Sequence, residues 1–333
     1  MSGRLDHVVD LVRNYEGVLR KQPIKEVVEQ LRRTHAFGSM LPNYGDDAAA
    51  IPWQDGYLLV AADGMMTGLL VNEPYAAGKA SVMVTVNDIY SMGGRPIGLV
   101  NVLASGDATQ RRKIVKGIEK GCLKMQVPML GGHLHPDAPP NYPALSVTII
   151  GYAKKLLRSH LAATGDRLIL AVDLAGRAGC RSVVSWDANS GKSAEEIRRR
   201  LEALPLIAES GAASAAKDIS NAGIIGTTAI MLENSSKGAV IDLDTIPVPD
   251  SLNLEQWVLC FQSFGFILSV PPKATDRVQS FFTKRNITAA VIGIVRAEPI
   301  VKLCSGEDSK ILFDFNRDVI TGIRSPHANG EVR

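Results

Sequence analysis

The chain has 333 residues, 46% of them hydrophobic and 21% charged. At about 100 to 200 residues per domain this length predicts two domains with a sizeable core, and the composition excludes a disordered chain or a coiled coil. Lys and Arg number 37 against 34 Asp and Glu, a formal net charge of +3, too small a bias to predict a nucleic-acid or anionic-membrane partner.

Apolar residues recur at helical spacing through Val8, Val12 and Leu19 and again through Ile24, Val28 and Leu31, so two amphipathic helices are expected to open the chain. The turn-rich LPNYGDD precedes a strand in AAAIP, and residues 57 to 62 form a second strand closed by Asp63 and Gly64. Pro74 suits a helix N-terminus, with Gly93 and Gly94 as the stop signal. A strand is expected over Ile97 to Leu103, a helix over 109 to 126, a short strand over Val127 to Leu130 stopped by Gly131 and Gly132, and a strand over Leu145 to Ala153. Without a strict βαβ rhythm, the first half reads as layered α/β or α+β.

A domain boundary is expected near 154 to 164, giving domains 1–155 and 156–333. Beyond it GDRLILAVDL opens a strand, and Ser193-Ala-Glu-Glu has capping-box spacing before the stripe Ile197, Leu201 and Leu204. Gly, Ala and Ser crowd 208 to 226, a composition suited to close helix packing or close approach of backbone to a ligand. Strands at 239 to 243, 266 to 270 and 291 to 295 supply a second sheet. The four cysteines, Cys122, Cys180, Cys260 and Cys304, lack C-x-x-C spacing and read as reduced, buried thiols. The charged N-terminus does not read as a signal peptide, and no segment reaches the roughly 20 apolar residues of a membrane span, so a cytoplasmic protein is expected.

The chemistry lies in the acids. Asp46 and Asp47 precede an apolar strand, Asp63 ends one, Asp88 sits inside VMVTVNDIYSM, and Asp218 follows a run of small residues. Taken singly, each has a local use: Asp47 shaping a turn, Asp63 capping a helix, Asp88 pairing with a lysine, Asp218 solvated. Taken together, acids delivered into apolar surroundings from separate elements suit a shared Mg²⁺ that also takes phosphate oxygens. Gly131-Gly132-His133 is either a tight turn or a backbone that approaches a phosphate, and Gly223-x-x-Gly226 has the same two readings.

No G-x-G-x-x-G opens a helix, and Ser190-Gly191-Lys192-Ser193 lacks the earlier glycine of a P-loop. His133-x-His135 has the spacing of two zinc ligands on one strand face, although Gly-Gly before it and Pro136 after it predict a loop. Arg111-Arg112-Lys113 and Arg198-Arg199-Arg200 read as solvated helix faces, while Lys21 and Lys25 are candidates to reach a phosphate.

Gly45-Asp46-Asp47-Ala48-Ala49, Ala62-Asp63, Val86-Asn87-Asp88 through Gly93-Gly94-Arg95-Pro96, Gly131-Gly132-His133 and Lys217-Asp218-Ile219-Ser220-Asn221-Ala222-Gly223 together resemble the ordered signature of the AIR synthetase (PurM-like) superfamily. The likeness runs from about residue 40 to 300. It implies two α/β domains per chain and a homodimer whose N-terminal sheets join into a barrel, with ATP and Mg²⁺ in clefts along it. By position Asp47, Asp88 and Asp218 would be metal ligands and Asp46 an auxiliary one. Asp63, Gly131, Gly132 and His133 would line the nucleotide phosphates, with Asn87 and Asn101 nearby, and Asp46 and Asp63 are the candidate catalytic acids.

Where this chain has Gly-Gly-His-Leu, AIR synthetases resemble Gly-Gly-Glu-Thr, and the thiamine-monophosphate kinase and hydrogenase-maturation dehydratase resemble Gly-Gly-Asp-Thr. Neither the N-terminal Cys or Sec beside a Lys of selenophosphate synthetase nor the cysteine tail of the dehydratase is present. The sequence therefore resembles the AIR-synthase-related group most closely. The expectation is an ATP- and Mg²⁺-dependent enzyme that phosphorylates or activates a small-molecule substrate. The alternatives are a nucleotide-binding regulatory protein and a zinc hydrolase using His133 and His135.

Overall fold

The computed structural model describes residues 2–37 and 44–324. The opening apolar periodicity forms α1 (Ser2–Arg13), α2 (Glu16–Leu19) and α3 (Ile24–Leu31), with Leu5, Val8 and Val12 of α1 all buried. The first half continues with β1 (Ala49–Trp53), β2 (Gly56–Gly64), α4 (Thr67–Asn72), α5 (Pro74–Ser91), β3 (Arg95–Ala104), α6 (Ala108–Met125), β4 (Met129–His135) and β5 (Ala144–Ala153). These strands form one open sheet in the order β1-β2-β5-β3-β4, antiparallel except for the parallel β3–β4 edge.

Side chains alternate across that sheet. Leu59, Leu99, Val147 and Ile149 are buried on the face that α5 covers. On the opposite face Ile51, Trp53, Val100, Val102 and Ile150 are each at least 39% exposed. Tyr90 and Ile89 belong to α5, whose buried residues lie on most of its sides because α6 packs along it as well.

The second half comprises β6 (Arg167–Val172), β7 (Arg177–Ala178), β8 (Ser185–Asp187), α7 (Ala194–Leu201), α8 (Ala203–Glu209), β9 (Ala215–Asp218), α9 (Gly223–Asn234), β10 (Gly238–Asp242), α10 (Leu254–Trp257), β11 (Phe261–Gln262), β12 (Gly265–Val270), α11 (Thr275–Thr283), β13 (Thr288–Arg296), β14 (Ile300–Ser305) and β15 (Asp308–Asp314). Seven strands pair in the order β15-β14-β10-β13-β6-β12-β9, and β11-β8-β7 form a small separate sheet. Every residue of α9 is buried, as its Gly-, Ala- and Ile-rich sequence requires. The chain is thus a mixed α/β protein in two layered halves. The first helix nevertheless packs on β14 and β15 of the second, where Arg13 donates to the Leu312 carbonyl at 2.6 Å and to Asp318 at 3.1 Å.

Several local expectations change. Gly131 and Gly132 do not stop a strand: they lie within β4, and His133 and His135 are strand residues rather than loop residues, because β3 supplies a parallel partner throughout. Leu204 falls in α8 rather than on the α7 stripe, although Ser193 does cap α7, accepting from the Glu196 N–H at 3.0 Å. Arg200 is not part of a solvated face: it is buried, ion-paired with Asp173 and, at 2.8 Å, with Glu196. Cys260 alone among the thiols is buried, the other three being half-buried, and all four are free.

Candidate functional site

Three elements deliver one carboxylate each to a common point. Asp47 comes from the turn before β1, Asp88 from the last turn of α5, and Asp218 from the end of β9. One oxygen from each lies within 4.8 Å of the others. Among the described residues this is the group of three or more His, Cys, Asp or Glu gathered tightly enough for a metal ion. Asp47 Oδ2 accepts from Ser91 Oγ at 2.6 Å and from the Asp218 N–H at 3.1 Å, while its Oδ1 accepts from Lys217 Nζ.

Donors are too few for so many acids. Burial first, and then the neighbouring carboxylates, push Asp88 and Asp218 well above the usual carboxylate range. Asp63, at the end of β2, is raised by burial too; Lys21 pulls it down and Asp47 pushes it up. Burial opposes the charge on Lys217, yet Asp47 and Asp218 hold its ammonium above the ordinary lysine value.

Lys21, in the turn after α2, is lowered by burial and then by Lys217, and makes no ion pair with the described residues. Gly17 permits this placement: a Cβ there would strike the Asn221 carbonyl, so only glycine lets α2 sit against the loop after Asp218. Lys21, Asp47, Asp63, Asp88, Lys217 and Asp218 all line one cavity of about 640 Å³ between the two halves of the chain.

The remaining expected residues are placed differently. Asp46 borders the cavity, but its carboxylate accepts from Arg158 Nε at 2.7 Å, the Ser159 N–H at 2.8 Å and Ser159 Oγ at 3.0 Å, with His160 Nδ1 at 3.5 Å. Burial opposes the charge, but His160 and Arg158 outweigh it and hold Asp46 at about 2. Asn87 is buried on α5 and donates to the Ser263 carbonyl at 3.3 Å, tying the helix to the second half.

Asn101, Gly131, Gly132 and His133 lie at the β3–β4 edge, outside the cavity. A Cβ at Gly132 would collide with the Asn101 side chain. His133 and His135 face each other edge-on at 4.5 Å with no third His, Cys, Asp or Glu joining them among the described residues. Lys25 lies away from the cavity and pairs with Glu29 at 3.9 Å. Sequence reading gave no role to Lys217 and Ser91, although both lie within motifs that carry the acids, and passed over Lys79, Lys124 and Asp187, which line the far end of the cavity without any local motif.

Residues 45–153 match the AIR synthase related protein N-terminal domain, and residues 164–304 match the C-terminal domain of the same family. The chain belongs to the AIR synthase related family. Within it, the chain is 39% identical over 324 residues to the uncharacterized protein MJ0640 of Methanocaldococcus jannaschii, covering 96% of this chain and 99% of that one. It is 38% identical over 306 residues to the uncharacterized protein sll0787 of Synechocystis, covering 92% and 94%. Among solved structures, Thermotoga maritima PurL complexed with ATP superposes with a TM-score of 0.68 at 18% identity, covering 85% of this chain. This chain spans 48% of that PurL chain, about half its length. AaThiL complexed with AMPPCP and TMP gives 0.64 at 17% identity, covering 86% and 96%. At such identities the AIR synthase related fold is what these two structures share with it.

Proposed function

We propose that this protein is an ATP- and Mg²⁺-dependent enzyme that phosphorylates, or activates as a phosphate ester, an oxygen of a small-molecule substrate. The observation that carries the reading is the gathering of Asp47, Asp88 and Asp218 within 4.8 Å, too crowded for three bare carboxylates and suited to a hard divalent cation. These three would hold Mg²⁺, which when bound offsets the charge of the phosphate oxygens. Lys21, half-buried and without an ion pair to the described residues, donates to the transferred phosphoryl group, and Lys217 keeps Asp47 oriented. The bond from the γ-phosphorus to the ADP oxygen breaks and one to the acceptor oxygen forms. For a hydroxyl acceptor the proton passes to Asp63, whose raised affinity for protons suits a base working nearer neutrality.

Asp46 is the anchor of the turn that carries Asp47 rather than a metal ligand, since its carboxylate turns to Arg158, Ser159 and His160 and does not join the gathered Asp47, Asp88 and Asp218. The exposed apolar sheet face is the surface on which a second copy docks, and Asn101, Gly131, Gly132 and His133 enter the nucleotide site only where two such sheets meet. Binding of AMPPCP is measured with and without Mg²⁺ in the wild type, Asp47→Asn and Asp88→Asn. The expected loss on removing Mg²⁺, or in either variant, is on the order of a hundredfold; equal affinities in all samples would refute the metal assignment. ADP release over a metabolite panel separates turnover from a nucleotide-binding regulatory role, which releases none.

A further inference from the structure

The cavity has a second charged end, remote from the acids. Ala76, Ala80, Val84 and Asp88 recur four apart along α5 and line the cavity as its floor. Lys79 lies near the start of that floor, nine residues before Asp88, or about 14 Å along the helix axis. Lys124 of α6 lines the cavity beside it, and burial first, then Lys79 and Lys120, depress its ammonium.

The charged groups at this end are unevenly partnered. Lys79 Nζ donates to Ser190 Oγ at 2.7 Å and sits 3.8 Å from Asp187. Lys192 faces away to Asp173 at 3.1 Å, a carboxylate that Arg200 already shares. Glu73 accepts from Ser182 N–H and Oγ at 2.9 and 2.5 Å. Among the described residues Lys124 Nζ is held by the neutral Lys192 carbonyl alone. Asp187 and Glu73 are thus the carboxylates at this end, Asp187 lying beside Lys79, and Lys124 makes no ion pair with the described residues; between this end and Asp88 the α5 floor presents the apolar Ala80 and Val84.

We propose that Lys124 and Lys79 bind an oxyanion, carboxylate or phosphate, carried by the acceptor substrate. The substrate is then an elongated molecule with that anion at one end, an apolar body, and at the other end the oxygen that takes the phosphoryl group from ATP beside Asp88 and Asp63. This rests on the proposed function for the identity of the reacting end, but the lysine end is tested separately. A lysine donating to an oxyanion in a half-buried site accounts for about tenfold in affinity.

Inorganic phosphate and benzoate are each titrated by calorimetry into the full chain saturated with Mg²⁺ and AMPPCP. At least one binds the wild type; which one distinguishes a phosphate from a carboxylate substrate. Affinity falls at least about tenfold in Lys124→Gln and in Lys79→Gln, and stays the same in Lys113→Gln, an exposed lysine of α6. Absence of binding of both anions, equal loss in Lys113→Gln, or no loss in the folded Lys124→Gln and Lys79→Gln would overturn the proposal. Anion binding that nucleotide abolishes overturns it as well, since the lysines would then belong to the nucleotide site. If AMPPCP itself does not bind, the proposed function fails, and the same titrations on the nucleotide-free chain still decide the lysine end.

Discussion

Asp46 and Asp47 are neighbours in one turn, yet they enter opposite environments. Asp46 points into the junction at Arg158, Ser159 and His160, where every oxygen has a donor and the carboxyl is held at about 2. Asp47 points into the cavity, where two further acids crowd it and Lys217 is the strong donor. Both side chains are almost fully buried, at 1% and 4% exposure, so burial does not separate them. What separates them is the company each keeps: Asp46 faces only donors, whereas Asp47 shares its donors with Asp88 and Asp218, which gather beside it. A satisfied buried carboxylate fixes the fold, whereas an undersupplied cluster is stable only with a cation or with protons in place.

Three experiments break or sharpen that contrast. The largest effect falls at the junction: Asp46→Ala strands Arg158 and leaves the Ser159 N–H buried without its acceptor, so urea unfolding should show a loss of about 3 kcal/mol. A loss under about 1 kcal/mol would reduce Asp46 to an ordinary surface pair.

The second effect is in pH. Asp46 moves from 3.8 to about 2 on folding, so it contributes stability that is full above the unfolded value and is lost as pH falls through that window. The contribution is about 2 kcal/mol. Asp88 and Asp218 have the opposite sign: their folded values are raised, so the metal-free protein is destabilised at neutral pH and regains stability as acidification protonates them. Unfolding curves in EDTA across pH should therefore rise and then fall on acidification. Mg²⁺ should flatten the rise, and so should Asp88→Asn; a monotonic fall in EDTA would show that the cluster carries no excess charge.

The smallest change in stability belongs to the outer sheet face. Trp53→Glu should alter unfolding by no more than about 0.5 kcal/mol, because the side chain is 52% exposed, while sedimentation should show the proposed homodimer dissociating. A variant that sediments as the wild type does would remove that face from subunit contact.

Much of the fold was legible in local patterns. The α5 span follows from Pro74 and Gly93, the α7 cap from Ser193, and the β1–β2 and β5 strands from short apolar runs closed by turn residues. The β4 edge was not legible, because a strand that continues through Gly131 and Gly132 is held by its parallel partner β3 and not by propensity. Nor was the burial of Arg200, since a triplet of arginines looks solvated until Asp173 is brought beside it from 27 residues away.

The same division runs through the site. Sequence determined that acids would sit beside apolar elements, because a carboxylate among Val, Ile and Met residues is visible in one dimension and has a known energetic cost. Only the tertiary structure decided that Asp46 is spent on the junction while Asp47, Asp88 and Asp218 converge, and that Lys79 and Lys124 stand at the other end of their cavity. Partner supply depends on which chain segments fold side by side, and for these residues the segments lie far apart in the sequence, where no spacing rule reaches.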